Sequence, residues 1–369
     1  MIFNTFDSTD IVAGRISPVS TGMFSNGLPQ WTSNFYTSSL QTSITGSSKY
    51  EPLNGLYYTN VYDSDPSSIT SEIYFSLTYG HVAGSGSANF DLDPNTGSLI
   101  APTKAIWGQY KNLLLTPGDT LFSFFTSSNL TALNSNHIYV MNFKADKIKD
   151  RMDPNQFEMT LNGTNGNFTF ITDANYQTNP AITAGGKRYN IISGSLSGSY
   201  TAGSTAPAVY QGLGSMYPDL GIIVLNPDVL GAIIGNAFVG TASLSLSDSS
   251  GSAATGYAMM QNRLFNCINF GNSIKARVTE YIPSRHYFVR VKNQEFNYSN
   301  NPTFVISQAE DPINAGNLRF ASFSSDPKVY PTAVGLYNDT NDLVAVAKLS
   351  QPIMKDFSSE ILVKIRLDF

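Results

Sequence analysis

The sequence predicts a mainly β chain of sandwich-like, mostly antiparallel modules with a few short helices, the middle region being α+β. Three observations predict it. Apolar and polar residues alternate with period two along much of the chain. Gly, Pro, Ser and Asn punctuate that alternation at short intervals. Helical spacing is confined to a few brief stretches.

Up to about Gly80 the segments read as short strands; in SEIYFSLTYG, Ile73, Phe75 and Leu77 alternate with Tyr74 and Ser76. PTKAIWGQYKNLLL then places Ile106, Tyr110 and Leu113 or Leu114 at helical spacing, the first helix. HIYVMNF is a strand running into a short helical KADKIKDRM, which Pro154 is expected to stop. QFEMTLNG and NFTFITD form a hairpin about NGTNGN, with Phe157, Met159 and Leu161 on one face.

From about Ala174 the composition shifts to Gly, Ser and Ala, as in AITAGGKRYN and SGSLSGSYTAGSTAPA. The apolar stretch LGIIVLNPDVLGAIIGNAFVG is interrupted by Asn226, Pro227, Asp228 and Asn236, which argues against a membrane span. It reads as a buried strand over 221–225, then a helix with Pro227 at its first position and Gly235 near its end. Another helix is expected near 259–270, after which ARVTEYIPSRHYFVRVKNQEFNYSNNPTFV returns to strands. No fixed-period repeat is present. The expected division is an N-terminal β-rich domain at 1–173, a Gly/Ser-rich middle region with short helices at 174–275, and a C-terminal β-domain at 276–369.

That last domain ends in a hairpin and a further strand. Residues 334–337 and 343–349 flank Asn338, Asp339, Thr340, Asn341 and Asp342, whose side chains bond nearby backbone and tolerate left-handed conformations. Ile361, Val363, Ile365, Leu367 and Phe369 then share one side of a terminal strand. Lys364, Arg366 and Asp368 share the other, with Leu362 the apolar exception. A chain end used as a strand is expected to be tied into a sheet, since ends are otherwise loose. The five apolar residues are therefore the candidate structural site.

Charged residues are 13% of the 369, about half the roughly 25% usual for soluble domains. The surface must be largely neutral and rich in hydroxyls and amides, with aromatics at 12%. Such a surface suits a protein packed against neighbours, because burying these groups costs far less than burying charges. It also suits a secreted or merely Ser/Thr-rich β-protein. A net charge of −5 without a dense Lys/Arg cluster argues against nucleic acid as the main partner. Lys144, Lys147, Lys149 and Arg151 are interleaved with Asp146 and Asp150, the pattern of a solvated helix face. The start MIFNTFDSTD has neither a basic nor an apolar leader region, so no signal peptide and a cytoplasmic synthesis are expected. Cys267, the single cysteine, excludes an internal disulfide and falls at helical spacing with Met260 and Leu264, a core position.

Catalytic chemistry finds no motif. His81, His137 and His286 stand far apart in sequence and form no close metal-ligand pair, and no G-x-S-x-G is present. GGKRY at 185–189 has Ala181 where a phosphate loop needs glycine and Arg188 where it needs Ser or Thr. In FDLDPNTGSLI, Asp91, Asp93 and Asn95 recur every second residue as calcium ligands do, but Gly97 comes one residue late and Pro102 stands near where the closing Glu belongs. A tight turn is the expected reading there, as it is for YDSDPSS. The sequon at Asn129 carries little weight without a signal peptide. Catalytic, cofactor-binding and metal-ligating residues are all expected to be absent.

The terminal segment, with HYFVRVKNQEFNYSNNPTFV, SSDPKVYPTAVGLYNDTNDLVAVAKLS and the opening FDSTDIVAGRISPVSTGMFSNG, resembles virion structural proteins of contractile-tailed phages, particularly T-even-like myoviruses of cyanobacteria. GIIVLNPDVL and IYVMNFKADKIKDRMDPNQFEMTLNG are similar to the same group, so the resemblance spans most of the chain. GLYNDTNDLVAVAKLSQPI is similar to C-terminal β-modules of baseplate wedge proteins, in which a sheet presents its edge to neighbours and no catalytic residue is carried. The resemblance implies a non-enzymatic building block of the tail, most of all the baseplate, without cofactor. It implies other tail and baseplate proteins as partners, self-association or multiple copies per particle, and no nucleic-acid partner or membrane insertion. It places the chain in the virion tail after synthesis in the host cytoplasm. Two other readings stay open: a glycan- or receptor-binding tail protein whose exposed Tyr and Trp form sugar platforms, and a tail-associated glycan depolymerase. Two tryptophans, Trp31 and Trp107, are few for a sugar binder, and Trp107 fits a helix face.

Overall fold

Short strands dominate the chain from its first described residues. The computed structural model describes residues 4–14, 16–32, 35–37, 58–86, 101–125, 132–173, 181–196, 212–239, 242–249 and 259–369. The opening strands are β1 (Ile11–Ala13), β2 (Ser17–Gly22), β3 (Gln30–Trp31), β4 (Thr59–Tyr62) and β5 (Ile73–His81). Helix α1 (Pro102–Leu114) has Pro102 in its first turn, where the missing N–H has no helical acceptor to lose. Strands β6 (Phe122–Phe125), β7 (Ala132–Ser135) and β8 (His137–Phe143) lead to the single turn α2 (Ala145–Ile148) and then β9 (Arg151–Met152). The expected longer helix up to Pro154 is not formed: Lys149 takes a φ of 52°, and Met152 pairs with Val278 instead. Strand pairing across the fold overrides the local helical pattern.

Hairpin β10 (Glu158–Gly163) and β11 (Gly166–Asp173) pairs from Gly163↔Gly166 outward, as expected, and Phe157, Met159 and Leu161 are all buried. Strands β12 (Ala181–Thr183), β13 (Gly186–Ser193), β14 (Gly214–Tyr217) and β15 (Ile222–Leu225) follow. Helix α3 (Pro227–Ile234) starts where Asn226 Oδ1 accepts the Asp228 N–H at 3.1 Å and stops at Gly235, whose φ of 80° suits glycine. Then come the hairpin β16 (Asn236–Val239) and β17 (Ala242–Ser245), helix α4 (Met260–Gly271), and β18 (Ser273–Lys275), β19 (Arg277–Ile282) and β20 (Ser284–Val291). The chain closes on β21 (Ala333–Tyr337), β22 (Leu343–Lys348) and β23 (Ile361–Asp368). The chain is thus mainly β, its sheets are antiparallel, and its helices are few and short. Among the described residues no helix is long and apolar enough to cross a membrane.

The strands fall into two compact units. The larger, Val19–Glu280, is built on one sheet in the order β3-β18-β10-β11-β13-β14-β15-β8-β5-β4, with β12 added on β13. Its central strands bury both faces. Phe75 lies opposite Phe143, Leu77 opposite Met141 and Tyr79 opposite Tyr139, and this face packs with Leu264, Cys267 and Ile268 of α4. On the other face Ile138, Val140, Ile222 and Val224 meet Ile106, Trp107, Tyr110 and Leu114 of α1 and Phe122 and Phe124 of β6. Helix α1 approaches so closely that a Cβ on Gly80 would sit 3.0 Å from the Trp107 backbone nitrogen. A small sheet, β2-β19-β9, and the β6–β7 and β16–β17 ribbons complete this unit.

The second unit joins Met1–Pro18 to Tyr281–Phe369. Its sheet is β1-β20-β23, and the β21–β22 hairpin is a separate two-stranded sheet. A buried cluster of Phe304, Val305 and Val329 lies between long connections.

This division departs from the expected three domains. Asp173 pairs with Asn190, so the boundary at 173/174 falls between adjacent strands of one sheet. Within AITAGGKRYN the glycines form the turn between β12 and β13, a place that needs the same residue types as a linker. The N-terminal strand joins the C-terminal unit through β1–β20, a pairing with no local signal.

Candidate functional site

The terminal strand is present and fully paired. Every residue of β23 has a partner on β20, from Ile361↔Val291 to Asp368↔Ser284, while β1 takes the other edge of β20. Alternation holds: Ile361 and Ile365 are buried, Val363 and Leu367 half-buried, and Leu362, Lys364 and Arg366 exposed. Phe369 corrects the expected buried set, since it is 65% exposed. It lies one residue past the ladder; its N–H donates to Pro283 O at 3.1 Å, and its ring faces the Arg285 guanidinium 5.9 Å away. The neighbour of β23 is β20, and not the hairpin that precedes it in sequence.

The hairpin itself is built as the sequence dictates. Asn338 Oδ1 accepts the N–H groups of Thr340 at 3.1 Å and Asp342 at 2.7 Å, and Asn341 turns the chain with a φ of 63°. From there Ala333↔Lys348 to Leu336↔Ala345 pair in register, with a bulge between Leu336 and Tyr337. Leu336 is buried, yet Leu343 is 53%, Val344 65% and Val346 61% exposed. Lys348 makes no ion pair among the described residues. A two-stranded ribbon with apolar side chains in water is marginal by itself.

The histidines expected to stand apart do not all do so. His81 and His137 are cross-strand partners on β5 and β8, with ring centroids 5.8 Å apart. His137 is buried; its Nδ1 lies 2.7 Å from Tyr79 Oη and its Nε2 2.8 Å from Asp228 Oδ1 in the first turn of α3. An ionised carboxylate only accepts, so Nε2–H donates to Asp228 and Nδ1 accepts the Tyr79 hydroxyl. Burial pushes the Tyr79 phenol well above its ordinary range and keeps it a donor. Both ring nitrogens are thereby engaged, and the group next to the imidazole is a held phenol rather than an activated serine. His81 Nδ1 accepts from the N–H groups of Ala83 and Ser85 at 3.0 and 3.3 Å, and its pKa is lowered by burial and by the neighbouring His137. The cluster ties β5, β8 and α3 together. Sequence spacing missed it because the three residues lie on three elements; Asp228 just inside a helix start was the one visible sign. His286 lies on β20.

Cys267 is buried in α4, where burial pushes its thiol up to about 12. Gly186 opens β13 in the β12–β13 hairpin, so GGKRY is a turn and strand start. Asp65 Oδ1 accepts the Ser67 N–H at 2.9 Å, the turn expected for YDSDPSS. Asp91, Asp93, Asn95 and Asn129 lie outside the described residues. Among the described residues no three His, Cys, Asp or Glu side chains are grouped to hold a metal ion. Trp107 is 4% exposed, and Trp31 is half-buried with its ring 4.2 Å from Phe35.

No protein-family model matches the chain, and no curated protein or solved structure matches it either.

Proposed function

We propose that the chain is a non-enzymatic structural component of a phage contractile tail, set in the baseplate and assembling through neutral, aromatic-containing surfaces and sheet edges. The observation that carries this reading is the surface of the C-terminal unit. Most of the exposed large apolar side chains among the described residues lie there, including Phe296, Tyr298, Phe320, Tyr330, Val344 and Phe357. Against them the described residues of this unit bury only a small cluster around Phe304, Val305 and Val329, with Leu336, Ile361 and Ile365 elsewhere. Exposed apolar surface rimmed by neutral polar groups marks protein–protein contact. A building block whose neighbours supply the missing cover has this form, and a free-standing catalyst has no use for it.

The sugar-binding alternative draws less support. Trp107 is packed in the core and Trp31 lies among the tilted rings of Phe24, Phe35 and Tyr74, so neither tryptophan forms an open platform. The test is location: gold-labelled antibody raised against the purified chain is applied to intact contractile-tailed particles of a phage that encodes it. Label at the baseplate end of the tail is the expected result. A chain found in the infected lysate and missing from purified particles overturns the reading.

A further inference from the structure

We infer that the turn after β5 is an acid-released latch, which His81 holds closed only while its imidazole is neutral. Nδ1 of His81 accepts the N–H groups of Ala83 at 3.0 Å and Ser85 at 3.3 Å. Two N–H groups aimed at one ring position identify it as the bare nitrogen, since a ring C–H there would repel both. The neutral ring therefore carries its proton on Nε2. A second proton can go only to Nδ1, where it would meet two N–H groups head on, so the closed turn and the imidazolium exclude each other. The β21–β22 hairpin has the same device built with an atom that does not titrate. There Asn338 Oδ1 accepts the N–H groups of the second and fourth residues after it, Thr340 and Asp342, as His81 Nδ1 accepts those of Ala83 and Ser85. Both acceptors hang on Cγ, so asparagine can do this work without a proton. What the imidazole adds is sensitivity to pH.

The latch fastens more than itself. Ser85 O accepts the Thr103 hydroxyl at 3.0 Å in the first turn of α1, whose cap residue Ala101 has no side chain for the task. Ser85 Oγ donates to Ser249 O at 3.0 Å, in the connection after β17. Gly84 and Gly86, with φ of 87° and 77°, give the turn no side chain of its own to hold it. The His81 ring is half-buried, so water reaches it and it can swing out once charged.

Among the described residues, the groups that bear on the ring charge come from several elements. His137 of β8, with ring centroids 5.8 Å apart, opposes a positive charge on His81, and Asp228 of α3 favours it. Tyr79 on β5 stays a phenol. Lys104 of α1 lies beside Gly84, and Arg263 of α4 donates to Asp248 O at 3.0 Å near the Ser249 end of the latch. Burial and His137 outweigh Asp228, so the ring is favoured neutral in the closed turn. Its contribution is fully present above the free imidazole value of about 6.5 and is lost as pH falls below it toward the folded value.

The latch rests on this geometry alone, and the tail assignment plays no part in it. Hydrogen exchange of the Ala83 and Ser85 amides in the full-length chain tests it, read by mass spectrometry at about pH 7.5 and about pH 5, where carboxylates are still ionised. Exchange times are scaled to the intrinsic amide rate at each pH. Protection in the native chain should fall about tenfold or more at the lower pH, with an unchanged circular dichroism spectrum. His81→Asn keeps an acceptor on Cγ and should be equally protected at both pH values, whereas His81→Ala should be unprotected at both. Unchanged protection in the native chain, an equal fall in His81→Asn, or a protected His81→Ala overturns the inference.

Discussion

His137 Nε2 lies 2.8 Å from Asp228 Oδ1, joining a largely buried strand to the first turn of a helix. The two ends of this contact differ in surroundings: the His137 side chain is 8% exposed and that of Asp228 60%. Removing the imidazole leaves a cavity and takes away the acceptor of the Tyr79 hydroxyl. Removing the carboxylate exposes a group that water can serve. His137→Ala should therefore cost about 3 kcal/mol of stability, and Asp228→Ala about 1 kcal/mol or less. Urea denaturation of both variants checks this, and equal losses would show that the His137–Asp228 hydrogen bond rather than the rest of the buried network carries the stability.

Glu158 supplies a pH dependence. It is 5% exposed; burial pushes its carboxyl up, but Lys275 Nζ at 2.8 Å, the Leu196 N–H at 2.7 Å and Ser195 Oγ at 3.0 Å outweigh burial and hold it below its ordinary range. A depressed folded pKa stabilises fully above the unfolded value, about 4.3, and that stabilisation is lost as pH falls through the folded value. The melting temperature of the native chain should thus drop more steeply below about pH 4.3 than that of Glu158→Gln. Parallel curves would remove Glu158 from the acid transition.

Lys355 is 0% exposed, and its ammonium donates to Asn293 O at 2.9 Å, Asn297 Oδ1 at 2.8 Å and Asp356 O at 2.7 Å. These acceptors pin a long connection after β20 to the segment that leads into β23. Lys355→Met keeps the volume and strands all three acceptors, so a loss of about 2–4 kcal/mol is expected. Chemical denaturation measures it; a neutral result would mean that water replaces the ammonium.

Much of the fold is legible in the sequence, and the boundary of legibility is physical. Period-two alternation locates β5, β10 and β23, and Pro227 with Gly235 brackets α3, because those signals act within a few residues. What does not show is pairing between distant segments. Nothing local to Ile11 announces Tyr287 as its partner, and nothing near His137 announces Tyr79 or Asp228. The KADKIKDRM stretch fails for the opposite reason: its local helical pattern is real, but Met152 finds a strand partner across the fold. The site shows the same split. The buried side of β23 is readable up to Leu367, and Phe369 is not, because alternation does not say where a neighbouring strand ends.

The terminal strand gives the last test. Deleting residues 361–369 strips β20 of its whole partner and exposes the side chains that Ile361 and Ile365 cover. Each buried isoleucine is worth about 1.5–3 kcal/mol, and the lost ladder leaves a central strand with the short β1 alone. Against a domain stability of about 5–15 kcal/mol, the truncated chain should be insoluble or fail to enter particles. The single substitutions should separate by position. Ile365→Ala is expected to cost about 2–4 kcal/mol, while Phe369→Ala and Lys364→Ala stay within about 0.5 kcal/mol of the native chain, because both side chains are exposed. Solubility, thermal melting and particle incorporation read these outcomes together. A soluble truncation that still enters particles would make the strand a dispensable tail, and a costly Phe369→Ala would mean that its ring is covered by a neighbour in the assembled state.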